Sequence, residues 1–148
     1  MTTYRLDFGP EWSKGIVTKE PPDIGKAFVG RVPAVDEAGN DRAGIRLPEI
    51  SVPLATHTGW NYRQASIGAT DRLASEIGSY LPLPRTRADR EKSGDSRKSI
   101  AERYASLEDY LGRISLAAIE LVHERMLLPE DVPAIIEQAR THYMWATR

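Results

Sequence analysis

GNDRAGIRLPEISVPLATHTGWNYR, residues Gly39 to Arg63, is the densest run of apolar and β-favouring residues outside the helical part of this 148-residue chain. Two prolines and three glycines interrupt it at short intervals. That spacing predicts no helix here and restricts any strand to a short one or a sheet edge, because Pro48 and Pro53 have no N–H to give to a ladder. Leu54 to Arg63 alternates. It predicts a strand with Leu54, Thr56, Thr58 and Trp60 on one face, Ala55, His57 and Asn61 off it, and Gly59 at a bulge or a close backbone approach. The run ends in His57, Trp60, Asn61 and Arg63, four side chains able to make directed contacts, and these are the candidate binding residues.

Upstream, Phe28 to Val35 and Ala43 to Leu47 flank the polar segment Asp36 to Asp41, whose Gly39-Asn40 pair suits positive φ. The pattern predicts a β-hairpin. Tyr4 to Phe8 alternates and reads as a short strand stopped by Gly9-Pro10. From there to Lys26 the chain is loop-like, with a two- or three-residue strand at Ile16-Val17. A loop of that length in a compact domain packs against something else, and the surface it drapes over is expected to lie outside this chain.

Downstream, Asp71 to Glu76 reads as a short helix. Ser79 to Pro84 reads as extended, because residues before proline avoid the α region. Arg85 to Lys98 carries six basic and three acidic side chains around Gly94 and reads as an exposed loop. Ser99 with Glu102 forms a capping box, and Ser106 with Asp109 a weaker one, so a short helix leads into a long one. Leu107, Tyr110, Leu111, Ile114, Ala117, Ala118, Leu121, Val122 and Met126 make the apolar stripe of the long helix. Pro129 opens a last helix, with Glu130 and Asp131 suited to its positive end and Val132, Ile135, Ile136, Ala139 and Tyr143 on its buried face. The short link makes the two helices antiparallel neighbours. The expected class is α+β: short strands and a hairpin in an irregular N-terminal half, strand-rich over 1–65 and loop-rich over 66–98, followed by an antiparallel helix pair within 99–148.

Composition excludes several roles. With 41% hydrophobic and 28% charged residues the chain is globular in composition, not disordered. A net charge of −1 provides no field for nucleic acid or anionic lipid, so neither nucleic acid nor membrane is expected as a partner. The chain has no cysteine, hence no disulfide, thiolate nucleophile or cysteine metal site. No apolar run approaches the ~18 residues of a membrane helix, and the N-terminus has no basic segment followed by an apolar one. The expectation is a soluble, cytoplasmic protein without a cofactor.

The residues name no reaction on their own. A hydrolase nucleophile sits in a G-x-S-x-G elbow between strand and helix. The nearest segment here, Gly94-Asp-Ser-Arg-Lys98, lacks the second glycine, follows a charged loop and precedes a capped helix. His123 and His142 are too far apart in sequence for an i, i+4 metal pair, and H-E-x-x-H is absent. His57, at a strand end near Trp60 and Asn61, is placed for binding. No catalytic residue and no metal ligand is assigned.

A succession of motifs carries a likeness: Leu6-Asp-Phe-Gly-Pro10, Val32-Pro-Ala-Val-Asp36, Gly39-Asn40, Ala43-Gly-Ile-Arg-Leu-Pro48, Val52-Pro-Leu-Ala55, Thr58-Gly-Trp-Asn61, Gly78-Ser-Tyr80, Pro84-Arg-Thr-Arg87 and Ser99 to Tyr104. Together they resemble the C-terminal portion of the bacterial alpha/beta hydrolase domain family, over nearly the whole chain. The resemblance implies an incomplete α/β-hydrolase-type fold, because proteins of this family are several times longer and their serine elbow and much of the central sheet precede this part. It implies a serine ester or amide hydrolase as the whole assembly. The partner is then the catalytic portion of a hydrolase, or a second copy meeting it through exposed apolar surface. Where the family pattern often has tyrosine, this chain has His57. Two readings stand beside it: a non-catalytic binding or interaction module using Gly39 to Arg63, and a self-sufficient hydrolase using His57, which lacks a nucleophile.

Overall fold

The computed structural model describes residues 3–29, 31–68, 70, 73–74 and 77–148. Its class is α+β, as expected: five α-helices and three two-stranded antiparallel sheets among the described residues. Met1–Val32 and Pro33–Arg148 form separate compact units.

In the first unit β1 (Thr3–Asp7) pairs with β2 (Asp23–Phe28), from Thr3 opposite Phe28 to Asp7 opposite Asp23. Lys19 ties the turn end of this ribbon, reaching Asp7 at 3.2 Å and Asp23 at 2.6 Å. Gly9, at φ +101°, lies so close to Thr18 that a Cβ would sit 2.0 Å from its Oγ1. No other residue fits there. The expected strand at Ile16-Val17 does not form, since the chain runs from a 3₁₀ turn at Trp12–Lys14 into the hydrogen bonds of Thr18 and Lys19 to the Phe8 carbonyl. Every residue of β2 is exposed, Ile24 by 73%. A two-stranded ribbon on its own is marginal in water.

The second unit begins with the polar turn at Asp36. Its Oδ1 accepts from the amides of Ala38 and Asn40, at 2.8 and 3.0 Å, and Gly39 takes φ +82°. The turn forms as the sequence predicts, and the hairpin closes over it only briefly, with the Arg42 amide donating to the Ala34 carbonyl at 2.9 Å. Val35 and Asp41 make a single bridge, and residues 43–47 leave because Gly44 turns at φ +84° and Arg46 is drawn to the Asp36 carboxylate and to the Ile50 carbonyl. One helical turn, α1 (Pro48–Ser51), then stands in the run whose prolines predict none. Pro48 occupies its first position, where a missing donor costs nothing.

The turn docks on β3 (Ala55–Thr58), which pairs with β6 (Ser79–Pro82) from Ala55 opposite Pro82 to Thr58 opposite Ser79. Asn40 is fully buried. Its Nδ2 donates to the Ala55 carbonyl at 3.0 Å and its Oδ1 accepts from the His57 amide at 2.7 Å. One carboxamide thus makes the pair of bonds that a neighbouring strand would make. Arg97 serves β6, donating to the carbonyls of Leu81 at 3.0 Å and Pro82 at 3.1 Å and to Thr56 Oγ1 at 2.8 Å, while Asp95 holds its charge at 2.6 Å. Gly59 adjoins no bulge; it lies in the bend between β3 and β4 (Asn61–Tyr62), which pairs with β5 (Leu73–Ala74). The helix expected over Asp71 to Glu76 falls largely outside the described residues, and Leu73–Ala74 is strand.

Arg85 to Lys98 is not a loop. Thr86 and Asp89 make a complete capping box that starts α2 (Arg87–Ser93), and Gly94 at φ +68° ends it. Thr86-x-x-Asp89 is a start signal without an apolar stripe behind it, and none of this helix is buried. Ser99 caps α3 (Ile100–Arg103) and Ser106 caps α4 (Leu107–His123). Tyr110, Leu111, Ile114, Ala118 and Leu121 are buried at the expected three- and four-residue spacing. Pro129 opens a 3₁₀ turn into α5 (Val132–Ala146). Tyr110 near the start of α4 meets Tyr143 near the end of α5, ring centres 5.1 Å apart, so the helices run antiparallel. Their core takes in Val52, Leu54 and Leu83 from the sheet side, and Tyr104 donates to the Pro53 carbonyl at 2.9 Å.

Replacing Asn40 by alanine leaves the Ala55 carbonyl and the His57 amide without partners, and the expected loss is roughly 2–6 kcal/mol, from about 1–3 kcal/mol for each of the two groups orphaned. Urea denaturation followed by far-UV circular dichroism measures it. A loss within about 0.5 kcal/mol, the range of an ordinary surface change, would show that the carboxamide does not hold β3.

Candidate functional site

Five elements of the second unit surround a cleft of about 360 Å³. α4 and α5 give it an apolar wall of Ile114, Ile135 and Ala139, and α1 contributes Glu49. His57 projects from β3, Tyr80 from β6 and His142 from α5. Tyr110 and Gln138 complete the lining.

These positions follow from local structure. The β3–β6 register sets His57 opposite Tyr80, and their rings meet edge to face at 5.3 Å. Tyr80 also faces α5, where its hydroxyl is hydrogen-bonded to Nε2 of His142 and its ring lies 6.0 Å from that of Trp145. Asn40 acts from behind: by holding the His57 amide, it fixes the strand from which the imidazole projects.

Burial shapes the electrostatics. It pushes the Tyr80 and Tyr110 hydroxyls up from the usual tyrosine range, Tyr110 being driven further by Tyr104, Tyr80 and Glu49. It presses His142 below its ordinary value of 6.5; nearby His57 adds to the effect and Glu49 opposes it. Both phenols and the His142 imidazole are therefore neutral near pH 7.

Of the four side chains picked out in the sequence, His57 alone lines the cleft. Trp60 lies in the bend after β3, 42% exposed and edge-on to Tyr62 at 5.6 Å. Its carbonyl accepts from the Ser79 hydroxyl at 2.9 Å. Asn61 accepts from the neighbouring Tyr62 amide at 2.8 Å, and Arg63 follows β4. The chain turns at Gly59, and these three leave the cleft with it. Tyr80, His142 and Glu49 carried no local signal, since each comes from a different element.

No serine among the described residues is hydrogen-bonded to a histidine side chain. Ser96 is exposed in the connection from α2 to α3, a helix-to-helix turn with no strand before it. Nor do the described residues hold three histidine, aspartate or glutamate side chains placed for a metal ion. No helix among them is long and apolar enough to cross a membrane.

The sequence model of the family described as alpha/beta hydrolase domain matches residues 10–137. The chain belongs to that family. The matched range takes in Glu49, His57, Tyr80 and Tyr110 and stops short of His142. No curated protein and no solved structure matches the chain. For this member of the alpha/beta hydrolase domain family the cleft is the best-formed candidate site, with two imidazoles, two phenols and a carboxylate on an apolar wall.

In a proton NMR titration, the ring resonance of His142 should move with a midpoint below 6.5. The unfolded chain then takes up this proton first, so stability is complete above 6.5 and falls as the pH drops through 6.5 toward the folded-state value. His142→Gln should flatten that part of the stability profile. A His142 midpoint at or above 6.5 would contradict the burial assigned to it.

Proposed function

We propose that this chain is the C-terminal segment of an α/β-hydrolase-like protein of the serine ester or amide hydrolase class, and that it is not catalytic alone. It packs on, or completes, a catalytic core that carries the serine elbow. The observation that carries this reading is that a chain matched to the family over residues 10–137 has paired strands only in separate two-stranded antiparallel sheets among its described residues. A nucleophile elbow needs a strand running into a helix through a sharp turn. The sequence contains no G-x-S-x-G. The bare β1–β2 ribbon supports the same reading, since its exposed residues, Ile24, Phe28 and Leu6 among them, suit a covering surface.

A second reading, a non-catalytic binding module, is favoured by the cleft itself. It is assembled within the second unit from this chain's own residues.

Incubation of the purified chain with short activated acyl esters and with a serine-directed fluorophosphonate, followed by intact mass spectrometry, tests the proposal. The expected result is no turnover above the blank and no covalent adduct. Stoichiometric labelling of a single serine with accompanying turnover would make the chain an enzyme in its own right and overturn it.

A further inference from the structure

We propose that the cleft between α1, β3, β6, α4 and α5 binds a small organic cation, an ammonium group carried on a short apolar arm. The inference goes beyond the hydrolase reading and does not depend on it.

Size comes first. About 360 Å³ lies at the lower end of the range for small-molecule sites, roughly 300–1,000 Å³. Charge narrows the choice. Glu49, an exposed residue, is the sole carboxylate of the lining, and no lysine or arginine accompanies it. An anion would meet Glu49 with no fixed cation to offset it, and burial works against a charged imidazole at His142. A metal ion would lack a set of three ligands among the described residues.

The remaining groups suit a donor with a positive charge. The Tyr110 side chain is 1% exposed and lines the cleft, and its hydroxyl, bonded to no described residue, is open to solvent. A hydroxyl so placed is free to accept from a ligand that displaces the water. The oxygens of Tyr110, Glu49 and Gln138 can all accept, and an ammonium group has donors only. The tyrosine rings add attraction for a cation close to their faces. The apolar wall of Ile114, Ile135 and Ala139 takes the hydrocarbon arm.

Titration of the full chain with n-butylammonium chloride, followed through the ring resonances of His57 and His142 at constant ionic strength, tests this directly. Sodium butyrate and n-butanol are the anionic and neutral probes of the same arm. Saturable shifts with n-butylammonium in the millimolar range are expected, with the other two binding about ten-fold more weakly. Glu49→Gln should weaken n-butylammonium about five-fold, as for loss of a partly exposed charge pair, while Glu124→Gln leaves it unchanged. Tyr110→Phe keeps the ring and should weaken n-butylammonium more than tetramethylammonium, which has no N–H to donate. Equal binding of butyrate or butanol, absence of any shift up to about 50 mM, or an unchanged affinity in a folded Glu49→Gln protein would overturn the proposal.

Discussion

The side chain of Asn40 stands where a strand would otherwise be. β3 presents the Ala55 carbonyl and the His57 amide on the edge away from β6, and one buried carboxamide satisfies both. The alternative is a bare edge, which leaves two backbone groups unpaired and invites pairing with another chain. The rest of the second unit depends on this contact. Asp36 shapes the turn that delivers Asn40, and Gly39 permits the approach, for a Cβ there would lie 3.0 Å from Thr56. Arg97 does the matching work on β6. With its strands held by side chains, a two-stranded sheet too small to stand alone presents a fixed row of groups to the helices.

Helices were legible in the sequence wherever their signals are local. The capping box at Ser99, the N-cap serine at 106, the stripe from Tyr110 to Leu121 and the proline at 129 each act within a few residues, and α3, α4 and α5 form where those signals put them. α2 has no such stripe: its cap at Thr86 introduces no apolar face, so an exposed helix reads in sequence as a charged loop. The hairpin around Gly39-Asn40 is cut short to one bridge for the opposite reason. Its turn chemistry is real, but the return strand is pulled off line by side chains, Arg46 reaching Asp36 and Asn40 reaching β3, and by the turn at Gly44. Local sequence reports the turn; it does not report which distant strand will claim it.

The site was legible only in part for the same reason. His57 could be singled out by its position at a strand end, but its neighbours come from afar. Tyr80 and His142 are hydrogen-bonded across 62 positions, and Glu49 stands on a helical turn that the prolines concealed. Trp60, Asn61 and Arg63 adjoin His57 in the chain, and the bend at Gly59 separates them from the cleft. Family membership, by contrast, was readable from ordered motifs and agrees with the match over residues 10–137. Membership supplies a fold family. The cleft is a property of this chain's own packing, and the two sources of inference bear on different residues.

The most direct measurement of the central claim is amide hydrogen exchange at His57, read by NMR on the native chain. If the Asn40 carboxamide replaces a strand, this outward-facing amide is protected to the same degree as amides inside the β3–β6 ladder and exchanges only when the second unit opens. Exchange at the rate of a free, solvated amide while the ladder stays protected would contradict it, and the edge of β3 would then be open.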